Sequence, residues 1–100
     1  MSKMDKMVPV IVCCGENGRA VVFGYADEIP TPGAPVTLRD ARMVLYWAAE
    51  CGGLFGVAAN GPKGGTRITA AVAETRMESC KQVLACSQVA AEGISKWPAA

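Results

Sequence analysis

The apolar positions of this chain change period along its length, and the changes mark out its elements. Val8 to Cys14 and Arg19 to Tyr25 are two runs rich in β-branched and aromatic residues. Gly15-Glu16-Asn17-Gly18 between them contains the Asn-Gly pair that favours a hairpin. Residues 1–6 precede the pattern and are expected to trail as a tail. Asp27 to Pro35 holds three prolines and one glycine, which predicts an extended loop rather than a regular element. Val36 to Leu38 starts a third strand, and Arg39-Asp40-Ala41 reads as a tight turn or bulge. Arg42 to Trp47 continues as strand because Val44, Tyr46 and Trp47 favour a pleated surface, although Leu38, Ala41, Leu45 and Ala48 lie close to helical spacing.

Gly52 and Gly53 let the chain turn into a short helix over Leu54 to Asn60. Asn60-Gly61-Pro62 ends it, because the first two residues tolerate positive φ and proline cannot continue a helix. Thr66 to Val72 alternates cleanly, with Ile68, Ala70 and Val72 on one face, and predicts a strand. The polar Glu74 to Glu78 separates it from a further strand over Ser79 to Ala85. Ser87 is suited to cap a last short helix through Glu92, closed by Gly93. Trp97 is expected to fold back, since burying its ring removes a large apolar area from water. The sum is an α+β domain: a small, mostly antiparallel β-sheet or partial barrel of five to six strands with two short helices, in one domain over residues 1–100.

Composition narrows this picture without changing it. One hundred residues leave room for one core, and 51% hydrophobic against 19% charged residues lies on the globular side of the boundary with disorder. Ten Lys and Arg are interleaved with nine Asp and Glu for a net charge of +1. A nucleic-acid or anionic-membrane surface shows as a massed basic patch, so neither is an expected partner. Lysines precede an apolar stretch at the start, but Asp5 interrupts them and Pro9 suits a hairpin better, so no export signal is expected. No stretch approaches the length of apolar residues that a bilayer span requires.

The chemistry-bearing residues are sparse. Histidine is absent, which removes the commonest metal ligand and the side chain best matched to acid–base work at neutral pH. Cys13, Cys14, Cys51, Cys80 and Cys86 lack C-x-x-C spacing and read mainly as reduced, buried small hydrophobes, with metal or redox chemistry as the rival. On a strand, Cys13 and Cys14 face opposite sides of the sheet. Gly56 to Lys63 nearly fits a phosphate-cradling loop, but Pro62 intervenes and removes a backbone donor. Pro62-Lys63-Gly64-Gly65 could still close over a ligand as a flap. The carboxylates include no pair evidently held across a cleft. No catalytic residue, cofactor or metal is therefore expected. Arg39, Asp40 and Arg42 beside Tyr46 and Trp47 form the most concentrated polar and aromatic set. Arg39, Arg42, Tyr46 and Trp47 are the candidate contact surface, because these residue types are enriched at binding hot spots. The competing reading places the rings in the core and the arginines in solvent.

The run VTLRDARMVLYW at Val36 to Trp47, the small-residue helix ending Ala-Asn-Gly, Thr-Arg-Ile-Thr and Ala85-Cys86-Ser87 resemble an uncharacterised family of small proteins of tailed bacteriophages and prophages. The likeness covers about half of the chain, Val36 through Ser87. Val36, Thr37, Leu38, Ala41, Arg42, Tyr46, Trp47, Gly61 and Cys86 fit it, whereas Met43 and Leu45 depart where a second Arg and a first Trp are commoner. The resemblance implies a phage origin and a short β-rich domain, and it supplies no catalytic residues. Three functions then compete. A non-enzymatic protein that works by assembly, with itself or as a decorating or accessory subunit of a virion, comes first, in the host cytoplasm or within the virion. A host-directed inhibitor that binds a host protein or a small nucleotide through Arg39, Arg42, Tyr46, Trp47 and the Gly64-Gly65 turn comes second. A thiol or redox protein comes last.

Overall fold

A computed structural model describes residues 7–15 and 20–100. The expected tail at residues 1–6 and most of the expected hairpin turn lie outside the described residues. β1 (Val8–Cys14) and β2 (Ala20–Ala26) pair antiparallel from Val8↔Ala26 to Cys14↔Ala20. β3 (Val36–Tyr46) lies on the other side of β2 and forms the longest strand of the sheet. After a 3-10 turn at Ala49–Cys51 and helix α1 (Gly53–Asn60), the chain returns along β3. There β4 (Arg67–Ile68) pairs with the end of β3 and β5 (Val72–Met77) with its beginning. β6 (Cys80–Ala85) then pairs with β1, and helix α2 (Gln88–Lys96) closes the fold. The α+β architecture, the antiparallel sheet and the two short helices follow the expectation from sequence.

The connection from β5 to β6 decides the shape of the sheet. Met77 and Cys80 belong to strands on opposite margins, separated by β3, β2 and β1. Four strand spacings in a flat sheet come to about 19 Å. Three Cα–Cα steps span at most about 11 Å. The sheet is therefore curled, open between β5 and β6, and encloses apolar side chains on its concave face. Val10, Val12, Cys14, Val22, Leu38, Ala41 and Cys80 are buried there. The Asp27–Pro35 loop reaches across to this region, where Gly33 N–H donates to the Cys80 carbonyl at 2.6 Å. The convex face, with Ile11, Cys13, Val21, Phe23, Val44 and Ile68, is covered by Val57 and Ala58 of α1 and Ala91 and Ile94 of α2. Cys13 and Cys14 thus belong to different cores, as alternation along β1 requires.

Two devices shape β3. Asp40 has φ 48°, a left-handed conformation that Asp tolerates better than most residues. Phe23↔Arg42 and Tyr25↔Arg39 place one extra β3 residue opposite Gly24. Arg39-Asp40-Ala41 is thus a bulge inside one strand, not a turn between two. At Gly24 a Cβ would stand 2.7 Å from Leu38 Cβ, so only glycine lets the curled strands approach this closely. Trp47 lies just past the strand rather than in it.

The sequence reading is corrected at the return segment. Thr66 to Val72 is not one strand: only Arg67 and Ile68 are strand there, and the supposed break at Glu74 to Glu78 is largely the body of β5. The cause is Arg42, which is 6% exposed. Its Nε donates to the Thr69 carbonyl at 2.7 Å and its Nη1 to the Ile94 carbonyl at 2.5 Å. The Thr69 carbonyl is thereby taken from the ladder, and Thr69 Oγ1 accepts the Met43 N–H at 2.9 Å in its place. The polar residues of β5 are accommodated because they lie on a margin, where Arg39 and Arg76 both donate to Glu74.

The helices follow their caps with one correction. Gly52 and Gly53, at φ 85° and 77°, turn the chain into α1, and Gly61 at φ 93° ends it. Ser87 Oγ accepts the Ala90 N–H at 3.0 Å as the expected N-cap of α2. Gly93 does not close that helix, which runs on to Lys96 and stops before Pro98. Ile94 in the extra turn is fully buried, a contribution of about 2 kcal/mol by area, and its carbonyl meets Arg42. Trp97 folds back onto the core and donates Nε1–H to the Thr66 carbonyl at 2.8 Å.

Replacing Arg42 with Met removes the guanidinium and leaves the buried Ile94 carbonyl and the half-buried Thr69 carbonyl without that donor, at a cost of about 1–3 kcal/mol. Thermal unfolding followed by circular dichroism is expected to show a midpoint lower by roughly 5–15 °C. An unchanged midpoint would show that the guanidinium does not tie the layers together. Gly24→Ala forces Leu38 or the bulge to move, and the same measurement is expected to register a loss of about 1–3 kcal/mol from overpacking.

Candidate interaction surface

The four residues singled out by composition occupy four different settings. Arg39 is half-buried and donates from Nη1 to Glu74 Oε1 at 2.9 Å, while Arg76 Nε donates to Glu74 Oε2 at 2.7 Å. Arg42 is inside the protein, on main-chain carbonyls rather than at a surface. Burial lowers its pKa from the usual guanidinium value. Among the described residues it has no carboxylate partner, and its charge meets the carbonyl-rich C-terminal turn of α2 instead. Trp47 is half-buried against the helix-side core, and Tyr46 is exposed. The structure therefore does not assemble a continuous Arg-and-aromatic surface from these residues.

It assembles an apolar one beside them. Met43, Leu45 and Val72 are 42%, 51% and 53% exposed. Met43 and Val72 line a groove of about 220 Å³ with Val22, Ala41, Ala70 and Thr75. A second groove of about 500 Å³ shares Val22, Met43 and Thr75 and continues to Cys14, Met77 and Lys81. Together they follow the concave face to the opening between β5 and β6. β5 borders this strip, and its one strand partner among the described residues is β3. The bulge at Asp40 is the feature that composition could not reveal. It resets the alternation of β3, sending Arg42 inward on the helix side and turning Met43 outward on the opposite face.

The chemical candidates are held as structural groups. Pro62 is buried, and the Lys63 N–H donates to Cys51 Sγ at 3.3 Å while Thr66 Oγ1 donates to the Lys63 carbonyl at 2.7 Å. These contacts anchor Lys63 at the start of the suggested flap. Burial raises the pKa of Cys13 and Cys14 and pushes Cys86 up to about 12. These side chains are neutral thiols at physiological pH, the form that is a poor nucleophile.

No curated protein and no solved structure matches the chain. A family does match over residues 7–94, from just before β1 through most of α2. The chain belongs to that family, described as a domain of unknown function (DUF6948).

Proposed function

We propose that this protein acts by protein–protein association, without turnover, as a small accessory subunit of tailed-phage particles that self-associates in the host cytoplasm and is incorporated in the virion. The observation that carries the reading is the exposed apolar groove lined by Met43 and Val72 beside β5, with exposed Leu45 further along β3. Large apolar side chains gathered on one sheet face beside a strand edge form a surface that association would bury. The phage setting rests on the resemblance of the central segment to phage-encoded proteins.

A second copy is the partner best matched to this edge. In an antiparallel pairing of two β5 strands centred on Thr75, Glu74 of each copy faces Arg76 of the other, so the edge is complementary to itself. A net charge of +1 leaves little repulsion between copies. The nucleotide-capture alternative would need Arg39 and Arg42 to converge on an anion. Arg42 uses two of its donors on main-chain carbonyls inside the protein, and Arg39 is engaged with Glu74.

Light scattering coupled to size exclusion is expected to give a mass of at least twice the chain at micromolar concentration. The double change Met43→Glu and Leu45→Glu is expected to return the monomer with an unaltered far-ultraviolet spectrum. A wild-type monomer at high micromolar concentration, together with its absence from purified virions by mass spectrometry, would remove the proposal.

A further inference from the structure

We propose that Cys14 and Cys80 form a thiol pair that closes under a disulfide oxidant into a cross-strand disulfide joining β1 to β6. The two residues are direct partners in the antiparallel β1–β6 ladder. Such partners have Cα atoms about 4.5–5.5 Å apart, inside the range of roughly 4.4–6.8 Å that a disulfide bridges. Both side chains belong to the concave core with Val10 and Val12, so they point to the same side. Cys13, next in the chain, is buried in the opposite core under the helices. The register shifts between Cys13 and Cys14, leaving Lys81 as an extra residue beside Cys80, and a ladder broken in this way gives the two Cβ atoms latitude to adjust.

Access is provided at the same place. Cys14 lines the larger groove beside Gly15, Ser79 and Lys81. Cys80 is more deeply placed, at 1% exposed against 4% for Cys14, and its thiol makes only long contacts to the Thr31 and Ala34 carbonyls at 3.7 and 3.9 Å. These contacts are weak enough to give up on rotation. Burial first, and then the neighbouring Cys80 and Cys13, raise the pKa of Cys14, so closure is slow at neutral pH rather than forbidden.

With glutathione disulfide as the oxidant the step balances. Cys14 loses its proton to solvent and its thiolate attacks one sulfur of glutathione disulfide, releasing one glutathione thiolate. Cys80 loses its proton and attacks Cys14 Sγ of the mixed disulfide, and the second glutathione thiolate leaves. Two protein thiols are oxidised, one glutathione disulfide is reduced to two glutathiones, and the released thiolates take up the two protons. The product encloses residues 15–79 in a covalent loop and fixes the start of β6 to β1. Since β6 is reached directly from β5, the bond would hold the curl of the sheet in place.

The test is incubation of the folded protein with glutathione disulfide at mildly alkaline pH, followed by alkylation, trypsin digestion and mass spectrometry. A cross-link between peptide 7–19 and peptide 77–81 is expected, retained in Cys13→Ser and lost in Cys14→Ala and in Cys80→Ala. The oxidised wild type is expected to unfold on the order of 10 °C above the reduced form, because the cross-link restricts the unfolded chain. A cross-link that persists in Cys14→Ala and disappears in Cys13→Ser would overturn the assignment. So would a folded wild type that accumulates only mixed glutathione adducts, or that keeps all its thiols.

Discussion

Strands on opposite margins of one sheet are joined by only two residues, Glu78 and Ser79, and this tether sets the rest of the structure. A flat sheet cannot satisfy it, so the strands curl and the concave face becomes a second core. That gives an apolar interior on each side of a single sheet, one under helices and one within the curl. A 100-residue chain buries a modest fraction of its surface, and two-sided burial of β1 and β2 is how this one reaches a sufficient core. It also explains why Val8 to Cys14 and Val21 to Phe23 read as near-continuous apolar runs rather than alternating ones.

The curl brings a second requirement, that the helix layer be attached to a strongly bent sheet. Arg42 meets it with a long side chain that passes from β3 to the Thr69 carbonyl and to the last turn of α2. The guanidinium suits this position because its donors fork towards two acceptors and it keeps its charge when buried. Lysine could not reach both carbonyls in the same geometry. The cost is a broken ladder at Thr69–Ala71, and the result is two short strands where the pattern promised one longer one.

Local chemistry was the legible part of this chain. The first hairpin, the proline-rich loop, the glycine entry to α1 and the Ser87 cap each depend on residues near in sequence, and each stands where the pattern places it; the inward fold of Trp97 was legible from the size of its ring alone. The misreadings all involve partners distant in the chain. Thr66 to Val72 looked like one strand because its alternation says nothing of a guanidinium arriving from β3. Glu74 to Glu78 looked like a break because ion pairs with Arg39 are invisible until β3 and β5 lie side by side. Gly93 looked like a stop, yet a Cβ there would come within 3.4 Å of Pro62 Cδ, so it serves the approach of α2 to the end of α1. The candidate surface was hidden for the same reason: a single bulge at Asp40 exchanges which β3 residues face out, and composition counts arginines without knowing their direction.

The distribution of reactive groups also bears on what such a fold can do. Arginines make hot spots when they are exposed and free to reorganise, and here the most promising one is fixed inside the protein. Thiols make nucleophiles when an adjacent base or cation lowers their pKa, and here burial acts in the opposite direction on Cys13, Cys14 and Cys86. On the concave side of the sheet the exposed large apolar side chains include Met43 and Val72, next to a strand margin whose charges alternate as Glu74 and Arg76. Aliphatic side chains beside open main-chain donors and acceptors gain by meeting another strand, since association removes apolar area from water while pairing the backbone. The curled sheet that buries Cys14 against Cys80 also leaves this opening between β5 and β6. The stability of the curl and the shape of the exposed margin are therefore set by the same two-residue tether.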